Sequence, residues 1–234
     1  AAIHQPCDDC GSSDALTRNV NGSTKCYSCE TFTPGNRNNN EPIEVRRPDG
    51  TFVSGGEYGM IARRNLTEET CRKWGYQIAT VGGEDAQVAN YRSRDGKLVG
   101  QKIRYADKRF STRGELLGLY GQHLWRDGGR RVVVVEGEVD ALSLSQAFDH
   151  KWPVVSVPHG AGSGKKHVAQ ALDWLERYDE VVFMFDNDEP GRKGAAECAM
   201  LLTPGRAKIA ELPLKDANDM LVANRTKELV QACW

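Results

Sequence analysis

The chain has 234 residues, 39% hydrophobic and 27% charged, which is ordinary for a soluble globular protein with room for one large or two smaller cores. Its net charge of −1 points to no partner by itself, and no apolar run nears the ~20 residues of a membrane span. With no signal-peptide core either, the expected location is the cytoplasm, without membrane contact. The charge is unevenly spread: residues 1–52 are net −2, 53–130 net +5 and 131–234 net −4, with eight Lys or Arg against two Asp within 87–113.

In chain order, residues 1–32 form a first compact block. Its Cys7-x2-Cys10-x15-Cys26-x2-Cys29 pattern has the spacing of a closed four-thiolate zinc site, each pair forming a knuckle around a hairpin. So few apolar residues would hardly fold without a metal, so one structural Zn²⁺ is expected, with an iron–sulfur cluster as the alternative. Arg18, Lys25 and Tyr27 are candidate nucleic-acid contacts on this ribbon. The remaining cysteines, Cys71, Cys198 and Cys233, are scattered, which fits a reducing compartment rather than a disulfide framework. Residues 33–52, with three consecutive Asn and three Pro, read as a flexible linker.

Residues 53–130 read as a small basic α+β subdomain. Thr67 followed by Glu68 and Glu69 is an N-cap with acidic first-turn residues, opening a helix through Trp74. "QVANYRS", "RDG" and "KLVGQKIRY" predict strand, turn, strand, with a third strand near Phe110. Lys102 and Arg104 share one face by the period-two rule, with Lys108 and Arg109 beside them.

From Arg131 strands and helices alternate. "RVVVVE", "PVVSVPHG", "EVVFMF" and "AKIAEL" are predicted strands; Glu138–Phe148, Lys165–Tyr178, Arg192–Leu202 and Thr226–Trp234 are predicted helices. Continuous apolar strands separated by helices predict a parallel sheet covered on both faces, with a ligand beyond the strand carboxyl ends. Those ends carry carboxylates: Glu136, Glu138 and Asp140 after the first strand, Asp186 and Asp188 after the third, Asp216 and Asp219 after the fourth. Such a cluster cannot stay ionised without cations, and oxygen-only ligands suit Mg²⁺ or Mn²⁺ serving phosphoryl chemistry. "HGAGSGKK" imitates a P-loop but has His159 where the first Gly belongs and Lys166 where Ser or Thr must bind Mg²⁺, so no NTPase motor is expected. The turn could still offer a phosphate site at a helix start, or be a plain tight turn.

"VEGEVDAL" followed by "FDNDEPGRKGA" resembles the Toprim fold shared by DnaG-type primases, type IA and II topoisomerases, RecR-like repair proteins and some nucleases. With the cysteine ribbon, the linker, the basic sheet, "GQHLW", "PVVSVPHGA" and "LPLKDAND", almost the whole chain resembles the primase half of the bifunctional primase–helicases of short-tailed phages. Pro190 departs from the small residue usual there and is expected to fit the first turn of the following helix.

The resemblance implies a DNA primase making short RNA primers on single-stranded DNA, located in the host cytoplasm if phage-encoded. It implies Glu136, Asp186 and Asp188 as catalytic residues, and Glu136, Glu138, Asp140, Asp186, Asp188 and Asp216 as ligands of two Mg²⁺ or Mn²⁺ ions. Lys102, Arg104, Lys108, Arg109 and His159 are expected to hold nucleotides and template. Expected partners are the template, ribonucleoside triphosphates, a replicative DNA polymerase, and a replicative helicase from which this chain would be the separated half. Two readings compete. A RecR-like non-catalytic clamp would carry its cysteines directly before the Toprim segment, whereas about 100 residues intervene here. A Toprim nuclease would cleave rather than synthesise.

Overall fold

The structure, a computed structural model, describes residues 2–9, 12, 16–18, 22–26, 29, 31–33 and 52–234. The chain divides into two compact units, residues 1–47 and 48–234. Of the expected 33–52 linker, only Thr33 and Phe52 fall within the described residues.

The first unit is an antiparallel sheet with its strands in chain order: β1 (Ala2–Gln5), β2 (Leu16–Arg18), β3 (Thr24–Cys26) and β4 (Phe32–Thr33). The hairpin of β2 and β3 follows the first cysteine pair and ends on Cys26, the first cysteine of the second. Arg18 and Lys25 are exposed, and Tyr27 lies outside the described residues.

The first α-helix of the second unit is α1 (Glu68–Trp74). Thr67 caps it by accepting from the Thr70 amide at 3.2 Å, and Gly75 ends it in the left-handed conformation at φ 64°. Next comes an antiparallel meander of β5 (Tyr76–Val81), β6 (Glu84–Arg92), β7 (Leu98–Tyr105) and β8 (Phe110–Gly114), paired in that order. Strand β5 lies where the sequence pattern predicts no element. Alternation along β6 sends Val88 into a small cluster with Val81 and Ile103, and Ala89 and Tyr91 into the main core. Lys102, opposite Ala89, is therefore on the main-core face, and so is Arg104.

The main core continues without a break into the second sheet, whose strands are β9 (Gly129–Val135), β10 (Val154–Ser156), β11 (Tyr178–Met184) and β12 (Ala207–Ile209). All pair in parallel, in the order β10-β9-β11-β12. Val133, Val135, Val182 and Met184 bury on one face with helices α2 (Glu138–Ala147), α6 (Ala217–Val222) and α7 (Thr226–Gln231). Val132, Val134, Val181 and Phe183 bury on the other with α3 (Ala161–Gln170), α4 (Leu172–Leu175) and α5 (Glu189–Ala199). Burial on both faces is why these strands read as unbroken apolar runs. The chain leaves β9 for one neighbour and later returns to its other side as β11. The carboxyl ends of β9 and β11 thus flank a topological switch point, the general ligand position of such sheets.

Some boundaries differ from expectation. The second predicted strand shortens to three residues between Pro153 and Pro158, which cannot donate to a ladder. The helix predicted from Lys165 starts at Ala161 and breaks at Ala171, and α5 starts at Glu189 rather than Arg192, with Pro190 in its first turn. The last helix ends at Gln231, and α6 was too short to show a period. Among the described residues, no helix is long and apolar enough to cross a membrane.

Candidate functional site

Glu136 follows β9 directly. Its Oε1 accepts from the Ala161 amide at the start of α3 (3.1 Å), and its Oε2 accepts from the Asp186 amide at the end of β11 (3.2 Å). The glycine-rich turn therefore presents its helix N-terminus to a carboxylate of the chain itself, at the position where the sequence also allows a phosphate. Gly160 makes this turn at φ 73°, a conformation that favours glycine.

Asp186 stands across from Glu136, with the Lys215 ammonium 3.2 Å from its Oδ2. Burial, then the Glu136 charge, pushes its carboxyl up to about 6, against the pull of Lys215. Asp140, in the first turn of α2, is held well above the ordinary carboxylate range by burial, then by Asp216 and Asp186. The Asn218 amide donates to it at 3.2 Å and pulls the other way. Asp216 caps α6 by accepting from the Asp219 amide at 2.7 Å. Glu136, Asp140, Asp186 and Asp216 line one cleft of about 600 Å³.

Asp188 does not line this cleft. It caps α5, accepting from the Gly191 amide at 2.9 Å, and its charge reaches the cleft through Lys215, which it helps to raise. Gly191 is required by close approach: a Cβ there would stand 2.1 Å from the Asp186 carbonyl oxygen. This contact folds "DNDEPG" back so that Asp186 points to the cleft while Asp188 turns to the helix.

Glu138 has a different role from its neighbours. It is 7% exposed, and both its oxygens take bonds from Lys102 Nζ, at 2.9 and 3.0 Å. Tyr91 donates its hydroxyl to the same carboxylate, and burial and Glu138 together keep that phenol protonated, well above its usual range. Lys102 also donates to the Pro158 carbonyl at 2.6 Å. These bonds join β6 and β7 to the start of α2 and to the turn before α3.

Arg104 lines the cleft, as does His159, whose pKa is lowered by burial and then by Lys102. Lys108 sits at φ 69° in the turn after β7 and lines a second cleft of about 450 Å³, which shares Arg64 and Arg104 with the first. Arg109 lines neither; it pairs with Glu84 at 2.6 Å and Asp107 at 2.5 Å on the exposed turn.

Some residues at the site were not singled out from sequence. Tyr91, buried against Glu138 rather than lining the cleft, lies within a strand, and the cleft-lining Arg64 lies in an unassigned stretch. Lys215 and Asn218 stand inside the quoted "LPLKDAND" and could have been found there. Asn218 is buried: its side chain donates to Arg64 O and Ser143 Oγ, both at 2.9 Å, and accepts from Arg64 Nη1 at 2.9 Å.

In the first unit, the sulfurs of Cys7, Cys26 and Cys29 all lie within 4.8 Å of one another, Cys7 and Cys29 at 3.9 Å. Cys10 lies outside the described residues. A tetrahedral zinc with Zn–S of about 2.3 Å sets its sulfurs about 3.8 Å apart, so the three thiols fit such an ion.

Residues 56–114 match the family described as the N-terminal α+β fold of the bacteriophage T7 DNA helicase/primase, and residues 133–221 match the Toprim-like family. The primase fragment of the bacteriophage T7 primase–helicase superposes with a TM-score of 0.74 at 39% identity, covering 100% of this chain and 99% of that one. The chain belongs to the T7-type primase family. The DNA helicase/primase of Enterobacteria phage T3 is 37% identical over 245 residues, 99% of this chain and 43% of that protein. Primase domains of bacteriophage T7, solved with its lagging-strand DNA polymerase and bound to an RNA/DNA hybrid and dTTP, match with a TM-score of 0.73. That match is 41% identical and covers 76% of this chain and 92% of that one. The primase-family chain spans less than half the length of the curated relatives it matches.

Proposed function

We propose that this chain is a DNA primase: a DNA-directed RNA polymerase that makes short RNA primers on single-stranded DNA from ribonucleoside triphosphates. The observation that carries the reading is the convergence of Glu136, Asp140, Asp186 and Asp216, from three separate strand ends, in a cleft that Lys102 and Arg104 also line. Asp140 and Asp186, raised by burial and then by neighbouring carboxylates, suit cation binding, and basic residues in the same cleft suit phosphates. Two Mg²⁺ or Mn²⁺ ions, held by Glu136, Asp140, Asp186 and Asp216 with Asp188 alongside, would lower the pKa of the initiating 3′-hydroxyl and steady the pyrophosphate leaving group.

Glu136 is the group for the proton of that hydroxyl, because two backbone amides fix both its oxygens while leaving lone pairs toward the cleft. Arg104 and His159 face the triphosphate, and Lys108 and Arg109 the template further out. Lys102 acts by aligning the basic sheet on Glu138.

The reading assigns residues 1–32 to a zinc ribbon with one structural Zn²⁺ on Cys7, Cys10, Cys26 and Cys29, which helps select the template sequence. Residues 33–52 are then the linker, 53–130 the basic subdomain and 131–234 the Toprim subdomain. The relatives support a replicative helicase in the same polypeptide and a replicative DNA polymerase as partners.

The test incubates the chain with single-stranded DNA libraries, Mg²⁺ and labelled ribonucleotides. Template-dependent oligoribonucleotides that vanish in Glu136→Gln support the proposal. Cleavage without synthesis would replace it with a nuclease.

A further inference from the structure

Phe110 opens β8, the edge strand of the antiparallel sheet, paired with Arg104. Its side chain is left 57% exposed, and it lines the same cleft as Glu136 and Asp186. Single exposed apolar residues on an outer surface need no explanation. This ring instead lines a concave cleft together with the carboxylates, and two cations are set against it. Lys102 Nζ is 5.1 Å from the ring centroid and Arg104 Cζ 6.0 Å. Lys102 is fixed there by Glu138 and Pro158, so the pairing of ring and cation is built into the fold.

The cleft thus offers a flat apolar face with positive charge beside it. That pair of features complements a nucleotide, which has a planar base and anionic phosphates. Aromatic rings in basic grooves hold nucleobases by stacking, without regard to sequence, since every base has a π-face.

We propose that Phe110 is a stacking platform for a nucleobase in the cleft. The inference rests on the primase reading and deepens it. The base belongs either to the incoming ribonucleotide or to the template strand, and two measurements separate these sources. One is KM for ribonucleotides in primer synthesis; the other is Kd for a labelled single-stranded oligodeoxynucleotide, which requires no turnover.

Phe110→Ala is expected to raise one of the two by about 5- to 150-fold, the range that base–aromatic stacking spans on alanine substitution. Whichever constant moves names the base. Phe110→Trp is expected to restore it. Phe110→Leu, which keeps apolar bulk but has no ring, is expected to stay with Ala. The site is exposed, so all three variants should unfold at the wild-type temperature.

Both constants within twofold of wild type in Phe110→Ala would overturn the platform. So would a leucine variant as good as phenylalanine, which would leave the side chain only a spacer for the cations. If wild type binds DNA but synthesises nothing, the primase reading fails, while the Kd values of Phe110→Ala for the oligodeoxynucleotide and for a labelled ribonucleotide, neither of which requires turnover, still decide this residue. If wild type binds neither DNA nor nucleotide, the platform fails too.

Discussion

Asp186→Asn should make the protein more stable and inactive at once. Wild-type Asp186 has its carboxyl raised from 3.8 to about 6 by burial and by Glu136. That is about 2 pKa units, or about 3 kcal/mol of folded-state penalty for carrying the charge. The sign follows from proton linkage: between about pH 4 and 6 the folded state binds more protons than the unfolded one, so the contribution of Asp186 to stability falls as pH rises. At pH 8 the full penalty is present; near pH 4 it is gone. Asparagine cannot ionise and escapes it, losing only the Lys215 pair, whose ammonium is mostly exposed and contributes less than ~1 kcal/mol.

The expected gain at pH 8 in chelator is about 2–3 kcal/mol, or roughly 4–12 °C in the melting of a unit this size. Circular dichroism melts at pH 4 and pH 8, with EDTA and with Mg²⁺, measure it. Mg²⁺ should narrow the gap by stabilising wild type alone. A variant no more stable than wild type at pH 8 in EDTA, or a gap equal at both pH values, would refute the electrostatic reasoning.

Lys102→Met leaves Glu138 buried with only Tyr91 and should lose about 3–5 kcal/mol in urea unfolding. The double variant with Glu138→Gln should lose much less than the two single losses combined, and simple additivity would show the pair to be uncoupled. Asn218→Ala strands partners on Arg64 and Ser143 and should destabilise by about 2–3 kcal/mol, whereas a melt unchanged from wild type would mean the network re-forms without it. Cys26→Ser should abolish stoichiometric zinc in metal analysis of the purified protein while leaving the melt of residues 48–234 unchanged. Full zinc occupancy in that variant would contradict the thiolate site.

Local signals made several elements legible. Thr67, with acidic residues after it, specified α1 because a cap and a helix dipole act within one turn. "RVVVVE" and "EVVFMF" specified two central strands because burial on both faces leaves no polar alternation. The start of α3 was not legible. Gly160, Gly162 and Gly164 argue against a helix by propensity, yet helix begins at Ala161 because α3 packs tightly on α5, where a Cβ on Gly194 would stand 2.8 Å from the Ala161 Cβ. Asp188 was legible in a second way: a residue of N-cap type before Glu and Pro is a readable helix start, and the helix expected from Arg192 begins there instead.

The sequence by itself determined the chemistry: which carboxylates follow strands, which cysteines have zinc spacing, and which strand face is basic. These follow from residue type and from periods of two to four residues, and neighbouring positions suffice to express them. Only the tertiary structure decided how the charges are shared. Glu136 meets the α3 amide and the Asp186 amide, while Glu138, two residues on, turns to Lys102 and Tyr91. The two glutamates are chemically equivalent along the chain. They diverge because the turn from β9 into α2 aims one at the switch point of the parallel sheet and buries the other against the antiparallel one. A buried carboxylate must then take whichever donors that packing supplies.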